Sequence, residues 1–146
     1  MEKQAKTINA VAAAITRKRA DGETEIFVAE RGYGAWKGYF EFPGGKIEAG
    51  ETPEEALKRE IREEFDSEIE TDEFVWKIEY DYPEFHLSMP LFICSLRSGD
   101  LTLKEHLSAK WVTLAELSEV RFAPADESVL SRLSAVLTKK QETDNK

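Results

Sequence analysis

Between Gly45 and Ser67 the chain reads GKIEAGETPEEALKREIREEFDS, preceded by Glu41-Phe42-Pro43-Gly44. A glycine turn therefore runs directly into a short helix dense in carboxylates. Glu60, Glu63 and Glu64 stand at i, i+3 and i+4, so all three project from one helical face within reach of a shared ligand. Such clustering destabilises a helix unless cations neutralise it, and that geometry calls for a divalent metal. The bland alternative is a solvated helix laced by ordinary pairs such as Glu55 with Arg59. It leaves unexplained why three acids share a side without a basic partner there, and why Pro43-Gly44-Gly45 comes first. Paired glycines can be a mere turn, and they also let backbone approach metal and phosphate closely.

The helix start is strongly signalled. Thr52 is the N-cap, Pro53 takes the first helical position, and Glu55 completes a capping box. Leu57, Ile61 and Phe65 repeat every four residues and form a buried stripe, so one face packs and another works. Upstream, Thr7 to Thr16 and Glu25 to Ala29 read as strands joined around Asp21-Gly22, and Tyr39 to Phe42 as a further short one. Downstream, Glu73 to Tyr82 and Phe85 to Leu96 read as long strands joined at Pro83-Glu84, and Lys110 to Val112 as a short one. Thr113 can cap a helix over Leu114 to Glu119, and Pro124 to Thr138 gives a longer one with Val129, Leu130, Leu133 and Leu137 inward. Strands and helices mix without strict βαβ alternation, which predicts α+β layers. The expected single domain spans residues 1–138, with Lys139 to Lys146 as a solvated tail.

Charge narrows the partners. With 29 acidic and 20 basic residues the formal charge is -9, against the basic surface that nucleic-acid polymers and anionic membranes require. A small anionic substrate would need a bridging metal. The apolar run Ile8 to Ile15 is too short to span a bilayer, is interrupted by Asn9, and precedes Arg17-Lys18-Arg19 instead of a small-residue cleavage site. The single cysteine, Cys94, cannot form an internal disulfide, and Leu91-Phe92-Ile93 beside it predicts a buried, inert thiol, in keeping with a reducing cytoplasm.

Gly45 to Ser67 resembles the Nudix box, G-x5-E-x7-R-E-U-x-E-E-x-G-U with U aliphatic: Gly45, Glu51, Arg59, Glu60, Ile61, Glu63 and Glu64 all match. The flanking EFPGGKIEAGETPEEAL is similar to the MutT-like branch. Asp66 stands where the family has glycine and Ser67 where it has an aliphatic residue. Neither is a metal ligand, and aspartate tolerates the left-handed backbone needed to end a helix there. The resemblance implies an α+β Nudix fold, a mixed sheet sandwiched between helices, that hydrolyses a nucleoside diphosphate linked to another moiety.

It also implies roles. Glu60, Glu63 and Glu64 become ligands for Mg²⁺ or Mn²⁺, with the Gly44 carbonyl adding a backbone oxygen and Glu105 a further acid. Glu60 is also the candidate general base, with Arg59 orienting its carboxylate. Arg31 matches a phosphate-contacting position. Phe42 and Phe85 are candidates to stack on a base, although core packing is their commoner fate. Asp126, after Pro124-Ala125, matches a position that reads the base edge, where cytosine and 8-oxoguanine both fit a carboxyl that can accept or donate. His86 and His106 lack the clustered partners of a zinc site and read as ordinary strand and loop residues. The expected activity is Mg²⁺-dependent conversion of a nucleoside triphosphate to a monophosphate and pyrophosphate, by a monomer or homodimer. The alternatives are a Nudix activity on nucleotide sugars or dinucleoside polyphosphates, and a non-catalytic nucleotide sensor.

Overall fold

The centre of the molecule is a strand buried on both faces. In the computed structural model, which describes residues 6–144, β1 (Lys6–Lys18) sends Ala10, Ala12 and Ala14 into one core and Val11, Ala13 and Ile15 into the other. That is why the strand reads as a near-continuous apolar run. β2 (Thr24–Glu30) follows across a turn where Gly22 adopts φ +88, as the Asp21-Gly22 signal predicts. β3 (Phe40–Glu41) and β4 (Gly44–Lys46) are short. After α1 (Pro53–Phe65) come the long hairpin of β5 (Glu68–Tyr82) and β6 (Phe85–Ser98), then β7 (Ser108–Thr113). A 3₁₀ turn (Leu117–Glu119), α2 (Pro124–Glu127) and α3 (Leu130–Asp144) complete the chain.

The sheet is mixed. Its order is β3-β2-β1-β6-β5, with β4 also on β1 and β7 also on β2. β1 pairs antiparallel with β2 and β4 and parallel with β6. α1 covers one face with Ala56, Leu57, Ile61 and Phe65, while Ala125, Val129, Leu133 and Leu137 cover the other. This is the sandwich expected from the sequence. Among the described residues no helix is long and apolar enough to cross a membrane.

Four elements differ from the sequence reading. Strand β4 was not expected, because a glycine pair signals a turn; it exists only because Ala12 and Val11 of β1 pair with Gly44 and Gly45. The helix expected over Leu114 to Glu119 shrinks to the 3₁₀ turn: the N–H groups of Leu117, Glu119 and Val120 donate to carbonyls three residues back, and the Thr113 hydroxyl donates to the Glu116 carboxylate and does not accept from a backbone N–H as a cap would. The helix expected over Pro124 to Thr138 is broken around Ser128, whose hydroxyl donates to the Ala125 carbonyl and competes with the helical ladder. α3 then continues past Thr138 to Asp144, through residues with neither glycine nor proline, so the expected tail is helical as far as it is described. Asn145 and Lys146 lie outside the described residues.

The two departures from the Nudix box are accommodated. Asp66 caps α1 in the left-handed region, φ 48 and ψ 42, its N–H donating to the Arg62 carbonyl. Ser67 is buried; its hydroxyl donates to the Phe65 carbonyl and accepts from the Leu101 N–H, both at 2.9 Å. An aliphatic side chain there would leave that buried N–H without its partner.

Candidate active site

A cavity of about 630 Å³ opens between the two helical layers and is lined by residues from both. From α1 and from β4 before it come Gly44, Gly45, Glu60 and Glu64. A methyl group on Gly45 would collide with the Glu60 carboxyl, and one on Gly44 with the Val11 carbonyl, so each glycine admits a different neighbour. Thr52 and Glu55 form the reciprocal capping box, 3.1 and 2.9 Å, that starts α1 after this strand.

Arg59 is the hub of the acidic helix. It donates through Nε and Nη2 to the two Glu51 oxygens at 2.6 and 3.0 Å, through Nη1 to Glu60 Oε1 at 3.0 Å and Glu63 Oε2 at 3.1 Å, and through Nη2 to the Lys46 carbonyl at 3.0 Å. Glu60 and Glu63 therefore do have a basic partner, contrary to the sequence reading. Glu55 does not pair with Arg59, being taken by the cap. The Arg59 hydrogen bond lowers the pKa of Glu51. Burial raises that of Glu60 against the pull of Arg59, with Glu63 and Glu48 adding repulsion.

Glu64 is raised too, first by burial, then by the charge of Glu105 and a hydrogen bond shared with it. Glu105 reaches this place because its loop is pinned to the end of β2: the Leu107 N–H donates to the Glu30 carbonyl at 3.0 Å and the Ser108 hydroxyl to the Glu30 carboxylate at 2.7 Å. Gly32 permits the approach, since a side chain there would strike the Glu105 carbonyl. Glu63 does not line the cavity; its side chain is 60% exposed and turned to Arg59. Among the described residues no three His, Cys, Asp or Glu side chains are gathered as they would be around a metal ion.

The opposite wall is aromatic and apolar. Phe85 stacks on Tyr82, centroids 5.1 Å apart, and Trp36 stands 6.1 Å from the same ring. Leu87, Met89 and Ile8 complete the surface. Phe42 borders the cavity, but its ring is 3% exposed and stacks on Phe122, so it serves the core; its backbone N–H donates to Asp126 at 3.0 Å. Burial pushes Asp126 up to about 7, helped by the charge of Glu41 and opposed by that N–H and by Arg31.

Arg31 donates to Glu41 at 2.6 Å, and Glu41 also meets His106. Glu41, Tyr33, Trp36 and Tyr82 line the cavity without having been singled out, and so does His106, which the sequence reading took for an ordinary loop residue. Glu41 had a signal, a carboxylate alternating with Phe40 and Phe42 in a short strand. His106 had none. His86 lies outside, its ring nitrogens 2.6 Å from Asp81 and Glu79. Cys94 is buried, and burial pushes its thiol pKa far up, as expected of an inert cysteine.

An acid-lined cavity bordered by a glycine pair and an acidic helix is the candidate site that the Nudix resemblance leads one to expect. Residues 7–133 match the NUDIX domain, and the chain belongs to that family. Nudix hydrolases generally use divalent cations and act on small nucleotide substrates. The chain is 36% identical over 110 residues to the 8-oxo-dGTP diphosphatase of Escherichia coli (strain K12), covering 75% of this chain and 85% of that one. It is 32% identical over 132 residues to the CTP pyrophosphohydrolase of the same organism, covering 90% and 94%. Among solved structures it is similar to the E. coli ORF135 protein, with a TM-score of 0.74, 30% identity and coverage of 90% and 91%. A MutT Nudix hydrolase from Burkholderia pseudomallei, at 24% identity and a TM-score of 0.76 over 87% of this chain and 98% of that one, shares the fold.

Proposed function

We propose that this Nudix hydrolase is a Mg²⁺-dependent nucleoside triphosphate pyrophosphohydrolase that cleaves the α–β linkage, releases a nucleoside monophosphate and pyrophosphate, and removes 8-oxo-dGTP or cytosine nucleotides from the pool. The observation that carries this is one cavity with a carboxylate wall on α1 and an aromatic wall closed by Asp126. A nucleoside triphosphate has the same division, a polyanion at one end and a stacking base at the other. Relatives named for 8-oxo-dGTP and for CTP support the same class.

The donor set suits Mg²⁺, or Mn²⁺, because it is entirely oxygen: Glu60, Glu63, Glu64 and Glu105, with the Gly44 carbonyl. The raised pKa of Glu64, crowded by Glu105, is what a cation would relieve. To join them Glu63 would turn away from Arg59. The cation supplies charge neutralisation for the phosphates and makes water more acidic. Glu60 acts as the general base; burial raises its pKa, which suits it to take the proton. Arg59 holds Oε1 of Glu60 and so fixes the direction in which the carboxylate faces. Water adds to one phosphorus of the α–β bridge as the bridging P–O bond breaks, the departing phosphate keeps the bond's electron pair, and the products are the nucleoside monophosphate and pyrophosphate. Arg31 meets the phosphates and Phe85 the base. Asp126, poised near neutrality, donates to an acceptor on an oxidised purine when protonated and accepts from the cytosine amine when ionised.

The test is pyrophosphate release from 8-oxo-dGTP, dGTP, dCTP, 5-methyl-dCTP and CTP with Mg²⁺, wild type against Glu60→Gln. Glu60-dependent release is the expected result. Silence across the panel would sink the triphosphatase reading, and nucleotide binding without release would point to a sensor.

A further inference from the structure

His106 lines the cavity, and neither the chemistry above nor the Nudix box provides it with a role. Its side chain is only 10% exposed, and its ring lies over Phe65 at the end of α1, centroids 5.1 Å and planes 23° apart. Nε2 stands 2.8 Å from Glu41 Oε2. A carboxylate only accepts, so Nε2 carries the hydrogen, while Nδ1 is buried without a partner. The other oxygen of Glu41 accepts from Arg31 Nη1 at 2.6 Å. One carboxylate is thus gripped at both oxygens, by a cation following β2 and by an imidazole from the β6–β7 loop. Its own strand has two residues and meets β2 through Ala29↔Glu41 and Glu30↔Phe40. So short a ladder leaves the side chain to be aimed by its partners.

We propose that His106 is a positioning residue for nucleotide binding: its Nε2–H fixes Glu41, and Glu41 so fixed holds the Arg31 guanidinium where the nucleotide meets it. This rests on the nucleotide-hydrolase reading. The competing account is a ring that merely fills space over Phe65, and the two assign the work to different atoms. His106→Phe keeps an aromatic ring over Phe65 and removes the donor. His106→Gln keeps a terminal N–H and removes the ring.

Steady-state kinetics on the preferred nucleotide of the panel, with melting curves, separate them. Losing a preorganising hydrogen bond to a charged group raises KM about tenfold in H106F, with kcat within about twofold and Tm near wild type. In H106Q the KM stays within about twofold of wild type even where Tm falls. A wild-type KM in H106F, a fall in kcat without a change in KM, or KM rising in both variants in step with lost Tm overturns the proposal while the hydrolase reading stands. A wild type that releases no pyrophosphate removes the parent reading and this inference together.

Discussion

On the α1 wall of the cavity, Gly45, Glu60 and Glu64 come from one short segment, which also supplies Arg59 and Glu51 beside them, Arg59 binding both Glu51 and Glu60. On the facing wall, Arg31, Glu41, Tyr82, Phe85 and Asp126 come from separate stretches, and the contact from Phe42 to Asp126 spans 84 positions. The first wall is built by helical periodicity and a turn, the second by the completed sheet. On the proposed reading, the hydrolytic chemistry resides in a local segment, whereas the surface that would meet the base is assembled by the fold.

The comparison breaks most readily at Glu60. Glu60→Gln is expected to lower kcat on the order of 10³-fold for every nucleotide alike, because the proposed base would act on water and not on the nucleobase; a loss confined to one nucleotide in the pyrophosphate assay would contradict it. Gly45→Ala comes next, with kcat down about 10²-fold and stability changed by less than about 1 kcal/mol. The atoms nearest the added methyl are the carboxyl end of the Glu60 side chain, which can swing aside at the expense of catalysis. Gly44→Ala should reverse that signature, since its methyl meets Val11 backbone and unfolding curves should show a loss of about 3 kcal/mol.

Asp126→Asn sharpens the comparison. It should change the ratio of kcat/KM between 8-oxo-dGTP and CTP about tenfold while leaving the Glu60-dependent step in place. It also carries a pH signature. The folded pKa of about 7 lies above the unfolded value near 3.8, so the native state holds the proton more tightly. Stability from this group is full below the lower value and lost as pH rises through 7. Asp126→Asn should therefore gain Tm relative to wild type at pH 8 compared with pH 5. The smallest effect is at Asp66: Asp66→Gly relieves the left-handed backbone and loses only an exposed ion pair to Lys104. A gain of about 0.5–1 kcal/mol in chemical denaturation with unchanged kcat is expected.

Legibility followed the same division. The α1 start was readable because Thr52, Pro53 and Glu55 are neighbours in a reciprocal cap, and its buried stripe because Leu57, Ile61 and Phe65 share one face. The Arg59–Glu63 bond was within reach too, as an i,i+4 pair. β4 was not readable, since Gly44 and Gly45 form a strand only against β1. The break at Ser128 depends on a hydroxyl choosing the Ala125 carbonyl over solvent. The Glu41–His106 contact joins residues 65 positions apart, and nothing local to either one announces it. Resemblance pointed to Glu105 and Asp126, and the fold supplies the physical reason they reach the cavity.

The most direct measurement is kcat/KM for 8-oxo-dGTP and for CTP in wild type, Glu60→Gln and Asp126→Asn, with pyrophosphate as the product followed. The account predicts that Glu60→Gln lowers both values by the same factor and that Asp126→Asn changes their ratio. If Asp126→Asn lowers both equally, or Glu60→Gln changes the ratio, the two walls do not divide chemistry from selection.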